Sequence, residues 1–256
     1  RLALAYRLYR PFEQRLLAAS QAVIATSPPY LEASHALAPW RTRCHIIPLG
    51  LDPKRIVAPE SAARARAESL WGTTQFRVLA IGRLTYYKGH EVLIQAAAGL
   101  DDSRVLIVGS GERREQLRAL IQSLGLGERV HLPGFQPESD LNALLASCDV
   151  LCLPSLERTE AFGLVLLEAM RFGKPVVIGD IPGSGAGWVV RQAGHGLLTP
   201  PGDVAALAAA LQALQHDPER RRLLGQAGEA ALHAQFGIEP VAHAVAELYR
   251  RVLGMG

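Results

Sequence analysis

Arg77-Val78-Leu79-Ala80-Ile81-Gly82 and, after a more polar interval, Val105-Leu106-Ile107-Val108-Gly109 decide how this chain is read. Each is an apolar run of four or five residues ending in glycine. Such runs are too short for helices and rich in the branched residues that suit strands covered on both faces. The interval between them, 89–99, has helical periodicity. The alternation continues: strands are predicted over 130–132, 150–153, 175–178 and 196–198, and helices over 113–124, 138–147 and 163–172. Repeated strand-helix units of this kind predict an α/β fold, an open doubly wound parallel sheet with helices on both faces. In such sheets ligands bind outside the carboxyl ends of the strands, which directs attention to the loops after Ile81, Val108, Leu132 and Leu153.

On the amino-terminal side the pattern changes. An amphipathic helix over 1–19 carries Leu4, Leu8, Phe12 and Leu16 at four-residue spacing, with Arg1, Arg7, Arg10 and Arg15 around them. Strand-like 22–25, a short helix over 29–37 and strand-like 44–47 follow, and Pro48-Leu49-Gly50-Leu51-Asp52-Pro53 reads as a linker. The tail is predicted helical over 203–215, 218–235 and 239–253. A chain that opens in mid-pattern without Met reads as a fragment or a processed product.

Composition narrows the function classes. With 256 residues, 49% hydrophobic and 20% charged, the chain can bury a full core, so disorder is not expected. A net charge of +3 from 27 basic and 24 acidic residues, scattered along the chain, gives no reason to expect a nucleic-acid partner. Three cysteines, Cys44, Cys148 and Cys152, argue for a reducing compartment, and the C-x3-C pair has no neighbouring ligand to complete a metal set. No run of about 18 apolar residues exists to cross a bilayer, and no signal peptide is recognisable.

Three segments carry chemistry. Gly82-Arg83-Leu84-Thr85-Tyr86-Tyr87-Lys88-Gly89 lies between a strand and a helix, and its guanidinium, ammonium and helix start are the parts of an anion site; a solvated loop with two cations is the plain alternative. Gly109-Ser110-Gly111-Glu112 is a second such turn, whose glycines permit close backbone approach to a ligand or simply a tight bend. It lacks the third glycine of a dinucleotide fingerprint. Most informative is Glu160-Ala161-Phe162-Gly163-Leu164-Val165-Leu166-Leu167-Glu168. Two carboxylates flank a helix start whose free N–H groups suit a phosphate, while the carboxylates suit hydroxyls. An exposed Glu160 and a salt-bridged Glu168 would be the ordinary reading. His90, His131 and His195 lack partners in sequence and are read as structural.

Taken in order, the G-R-x4-K-G segment (82–89), the G-x-G turn (109–112) and the E-x7-E motif (160–168) resemble the carboxyl-terminal domain of the GT-B fold retaining glycosyltransferases of family 4. The resemblance extends upstream through Thr26 to Tyr30 and Ile46 to Asp52, and downstream through Gly196-Leu197-Leu198 and Pro201-Gly202-Asp203. It implies the end of an amino-terminal, acceptor-side domain with its linker over 1–52, a Rossmann-like donor domain over 53–238, and a final helix over 239–256 crossing back. By position it implies that Arg83 and Lys88 bind the donor diphosphate and support the leaving nucleotide, with Glu160 completing the catalytic set by holding sugar hydroxyls. Glu168 would accept from the ribose. Gly82, Gly109, Gly111 and Glu112 would border the donor, Gly134 and Phe135 would pack near the base, and Ala161, Phe162, Gly163, Leu164 and Val165 would offer backbone contacts.

The resemblance further implies no cofactor and no metal, as no D-x-D motif occurs; Asp101-Asp102-Ser103 lacks the spacing. Expected partners are a GDP- or UDP-linked sugar, with mannose preferred among hexoses, and a glycan or lipid-linked acceptor at the cytoplasmic side of a membrane, in polysaccharide biosynthesis. The other reading is a nonenzymatic nucleotide-sugar-binding module. An epimerase or phosphorylase fits the Arg83, Lys88, Glu160 and Glu168 set poorly. Loss of Arg83 or Lys88 is expected to harm turnover more than folding. Helix 1–19 is expected to cover exposed core where the rest of the acceptor-side domain would sit, with contact of its arginines to an anionic membrane as the alternative. The stretch 184–188 reads as a loop.

Overall fold

Strand formation follows from which residues can be buried on both faces of a sheet. The computed structural model describes residues 2–254, with side chains from residue 6 onward, so Arg1 and the side chain of Leu4 lie outside the described residues. The chain begins with α1 (Leu2–Ala19), β1 (Val23–Ala25), α2 (Pro28–Glu32), a 3-10 segment (Ala38–Arg43) and β2 (Cys44–Ile46). Then come α3 (Ser61–Trp71), β3 (Phe76–Ile81), a 3-10 turn (Tyr86–Lys88), α4 (His90–Ala97), β4 (Ser103–Val108), α5 (Arg114–Ser123), β5 (Val130–Gly134), α6 (Glu138–Ser147) and β6 (Val150–Leu153). The last part is α7 (Leu164–Arg171), β7 (Val176–Gly179), α8 (Gly185–Ala193), β8 (Gly196–Thr199), α9 (Val204–Gln215), α10 (Pro218–Ala231), a π-helical turn (Leu232–Phe236) and α11 (Ile238–Leu253).

Six parallel strands form one sheet in the order β5-β4-β3-β6-β7-β8. Counted from β3, this is the 3-2-1-4-5-6 arrangement of a doubly wound nucleotide-binding sheet, and the order reverses between β3 and β6. Alternate residues of each strand feed opposite layers. Leu79, Leu106, Leu151, Val176 and Ile178 pack with α3, α6, α7 and α8, while Val78, Val105, Ile107, Val150 and Val177 pack with α4, α5 and α9. The expected fold class is therefore the observed one, and each predicted strand is present within two residues of its expected ends.

β1 and β2 form a separate two-stranded parallel sheet. α11 runs beside it, with Leu248, Tyr249 and Val252 sharing a cleft with Ala22 and Ile24. The crossing is tied at Leu51, whose N–H donates to Phe236 O at 2.9 Å and whose carbonyl accepts from Ile238 N at 2.8 Å.

Several expectations need correction. α1 does not cover the core: Leu8, Phe12 and Leu16 are 71%, 72% and 66% exposed. The helix is docked by polar contacts on another side, where Trp40 Nε1 donates to Gln14 Oε1 at 2.9 Å and Arg43 to Ala18 O at 3.0 Å. The short helix expected over 29–37 ends at Glu32 and is followed by the 3-10 segment. Residues 184–188 are not a loop. Ser184 caps α8, accepting from Ala186 N at 3.1 Å, and the glycines behind it are there for space: a Cβ on Gly185 would lie 2.7 Å from Ala161 O and 2.8 Å from Ser27 Oγ.

Candidate functional site

The loops after β3 and β6, which flank the reversal of strand order, lie against each other. Leu156 N donates to Tyr87 O at 2.7 Å, and Tyr86 Oη donates to Glu157 Oε2 at 2.8 Å. Gly89 sits where they touch, at φ +65°, and a Cβ there would lie 2.1 Å from Pro154 O. On the other side, Leu84 N donates to Ser110 O at 2.9 Å and Gly109 N to Gly134 O at 3.0 Å, joining the loops after β3, β4 and β5. The close approach permitted by the two glycines of the 109–112 turn is made within the protein. A Cβ on Gly109 would fall 2.0 Å from Gly82 O, and one on Gly111 2.4 Å from Leu84 O.

A cleft of about 310 Å³ opens over these strand ends, lined by Gly82, Arg83, Gly109, Ser110, Phe135 and Gln136 with apolar residues beneath. Phe135 is 76% exposed at its rim, an apolar ring kept from the core and available to a flat partner. The Arg83 side chain is exposed and has no hydrogen-bond or ion-pair partner among the described residues. Glu112 is exposed beyond the cleft.

Lys88 differs from Arg83. Its Nζ lies 2.5 Å from Glu160 Oε2, with side chains 14% and 10% exposed. The lysine stem passes over Gly82, where a Cβ would lie 3.1 Å from Lys88 Cε. Ser155 Oγ donates to the same carboxylate oxygen at 3.1 Å, and the Ser184 hydroxyl donates to the Glu160 carbonyl. Two of the expected site residues are thus brought into one largely buried ion pair. For Lys88 the expectation that its loss spares folding changes, because removing it strands a buried carboxylate.

Gly163, at φ +77°, turns the chain into α7. The N–H groups of Gly163, Leu164 and Val165 have no acceptor among the described residues, so this helix start retains its capacity for an anion. Ala161 faces inward through its carbonyl, which accepts from Gly185 N at 2.7 Å. The Phe162 ring is core, edge-on to Phe236 at 6.5 Å, so only its backbone can reach a ligand. Glu168, on the second turn of α7, is partly buried with no side-chain hydrogen bond among the described residues. Burial, and then the neighbouring Glu138, raise its pKa. An unpaired carboxylate in this setting is an acceptor awaiting donors.

His90 and His195 are buried, and burial pushes both down to about 4, so both rings are neutral at pH 7. Cys148 and Cys152 are buried in the core, and burial raises both thiols. Among the described residues no group of three or more His, Cys, Asp or Glu side chains is placed to hold a metal ion. Ser155 and Ser184 were not anticipated. The available signal was position, since Ser155 lies just beyond the carboxyl end of β6.

Against known proteins, residues 61–231 match the family described as glycosyl transferases group 1. The chain is 33% identical to D-rhamnosyltransferase WbpZ of Pseudomonas aeruginosa, over 90% of this chain and 59% of that protein. It is 31% identical to O-antigen chain mannosyltransferase C of Escherichia coli, over 96% of this chain and 65% of that protein. The chain therefore spans about three fifths of the length of these relatives. Among solved structures it resembles sucrose-phosphate synthase from Thermosynechococcus elongatus, with a TM-score of 0.80 and 30% identity over 98% of this chain and 63% of that one. It also resembles Anabaena HepE in complex with UDP, with a TM-score of 0.79 and 26% identity over 93% of this chain and 68% of that one. The breadth of the family match and the shared sheet lead to one conclusion: the chain belongs to the glycosyl transferases group 1 family.

Proposed function

We propose that this chain is the donor-binding half of a retaining hexosyltransferase, which moves a sugar, with mannose favoured, from a nucleoside-diphosphate sugar to a glycan or lipid-linked acceptor. The observation carrying this reading is the convergence at one reversal of strand order. An unpartnered guanidinium lines the cleft over these strand ends, the lysine-carboxylate pair joins the loops after β3 and β6, and α7, which follows the second loop, supplies a helix start with free amides and an unpaired carboxylate. The names of the relatives support the class of reaction, and HepE, solved with UDP and with UDP-glucose, supports a nucleotide-sugar ligand.

In this reading the base rests near Gly134 and Phe135, the ribose hydroxyls donate to Glu168, and the diphosphate meets Arg83, Lys88 and the amides of 163–165. Glu160 takes the sugar hydroxyls. The acceptor oxygen bonds to the anomeric carbon on the face from which the diphosphate departs, and a phosphate oxygen takes the acceptor's proton. Arg83 and Lys88 stabilise the charge that develops on the leaving group, replacing a metal; such preorganised support is worth several kcal/mol. Residues 1–52 form the end of the acceptor-side domain, 53–238 the donor domain, and 239–256 the return crossing. No helix among the described residues is long and apolar enough to cross a membrane. We place the protein in the cytoplasm, with α1 offering its exposed Leu8, Phe12 and Leu16 and its arginines for peripheral contact with an anionic membrane.

The test is calorimetric titration with GDP, UDP and ADP without metal. Selective binding of one diphosphate supports the reading and names the base; absence of binding to all three overturns it. Binding of a nucleotide sugar without transfer to any acceptor would instead favour a nonenzymatic binding module.

A further inference from the structure

Glu160 carries two contacts, and both fall on one oxygen. Lys88 Nζ, at 2.5 Å, and Ser155 Oγ, at 3.1 Å, share Oε2. Oε1 has no partner among the described residues and keeps contact with solvent. A carboxylate held in this way presents one oxygen to the protein and the other to a ligand. The two partners differ in how firmly they hold. Lys88 has a long, flexible stem that passes over Gly82 at the edge of the cleft, so a diphosphate bound beside Arg83 competes for its ammonium. Ser155 is 1% exposed, and a Cβ on Gly179 of β7 would meet its carbonyl at 2.5 Å, so its backbone is wedged between neighbouring strand ends. The Glu160 backbone is fixed as well, with its N–H donating to Glu157 O at 3.0 Å and its carbonyl accepting from the Ser184 hydroxyl.

We propose that Ser155 is a positioning residue: it retains Oε2 of Glu160 when the donor diphosphate draws Lys88 away, so that Oε1 stays aimed at the sugar. Without the hydroxyl the carboxylate turns with the lysine, and sugar recognition is lost while phosphate recognition survives. This rests on the donor-site reading above. It extends that reading by dividing affinity into a phosphate part independent of Ser155 and a sugar part that requires it.

Calorimetry with UDP, GDP, UDP-glucose and GDP-mannose on the full chain tests the division. Ser155→Ala should weaken the nucleotide sugar about tenfold, as loss of a hydrogen bond to a charged group implies, and leave the diphosphate within about twofold. Ser155→Thr, which keeps the hydroxyl, should restore most of the difference. In a Glu160→Gln background, adding Ser155→Ala should change sugar-nucleotide affinity less than about twofold. Equal losses for both ligands, or none for either, would overturn the proposal.

A second measurement needs no nucleotide. Acetylation of Lys88 by acetic anhydride, followed by mass spectrometry, should be severalfold slower in Ser155→Ala, because the carboxylate, released from the hydroxyl, then follows and holds the ammonium; an unchanged or faster rate overturns the positioning role. If the parent chain binds none of the nucleotides, the donor-site reading fails, and lysine reactivity still decides the role of Ser155.

Discussion

Changing Lys88 to Met tests the central pair most directly. In the parent chain the ammonium and the carboxylate sit with 14% and 10% of their side chains exposed, and Glu160 has one other side-chain donor, Ser155. Breaking a buried pair from one side costs about 3 to 5 kcal/mol, because the remaining charge has lost both water and partner. Oε1 keeps access to solvent, which relieves part of that penalty, so about 3 kcal/mol is expected for Lys88→Met. Glu160→Gln leaves Lys88 with a long stem that can carry its ammonium to water, and should cost less, about 1 kcal/mol. Removing both charges leaves a neutral amide beside an apolar chain of similar volume, and the double variant should lie within about 1 kcal/mol of the parent. These values give a coupling energy of about 3 to 5 kcal/mol. Urea unfolding followed by circular dichroism at pH 7, on the parent, both single variants and the double, reads it directly. A coupling below about 0.5 kcal/mol would mean that the two groups do not interact in solution, and the reasoning from burial would fail.

Further outcomes follow from the same geometry. Arg83→Ala removes an exposed, unpartnered side chain, so unfolding should be unchanged within about 0.5 kcal/mol while diphosphate affinity falls about tenfold or more and nucleoside affinity holds. Glu168 has a raised pKa, so the stability linked to its protonated form is full below its ordinary 4.5 and is lost as pH rises through its folded value. Glu168→Gln should therefore flatten that part of the stability profile, stabilise the fold at pH 7 and weaken nucleotide binding. His195, depressed to about 4 from 6.5, contributes stability above pH 6.5 that is lost as pH falls toward 4. Unfolding free energies from urea melts across that range should drop by roughly 3 kcal/mol less in His195→Gln than in the parent. Gly109→Ala places a Cβ 2.0 Å from Gly82 O at φ +145°. It should cost about 3 kcal/mol or abolish folding, as read by thermal melting.

The sheet was legible because strands buried on both faces must be apolar throughout, and runs such as Val105 to Val108 have no polar interruption. α3 escaped notice for the opposite reason. Its buried stripe is Ala63, Ala67 and Trp71, and two small residues among arginines and glutamates make a weak signal. α8 was hidden by Gly185 and Gly187, glycines placed for clearance against Ala161, Ser27 and Asp180 and not for a turn. The candidate residues Arg83, Lys88, Glu160 and Glu168 stood out through their order along the chain. That Lys88 and Glu160 bond each other was beyond reach, since 72 residues separate them. Only folding brings the ends of β3 and β6 side by side. Ser155 was missed because one serine after a proline has no pattern of its own.

The tie at Leu51 has a mechanical consequence. The chain enters the six-stranded sheet region beside Leu51 and leaves it beside Gly237, and the two passages are bonded in parallel register. Val241 of α11 also lies against Gly50, where a Cβ would meet the valine at 3.0 Å. A single strand of chain between two bodies acts as a swivel and permits rotation in any direction. Two strands fastened side by side act as a strap. Bending across the strap is easy, while twisting about its length would shear the bonds at Phe236 and Ile238. Movement of the β1–β2 sheet relative to the six-stranded sheet is therefore expected to bend across the bonded passages at Leu51 and Gly237 more readily than to twist about them.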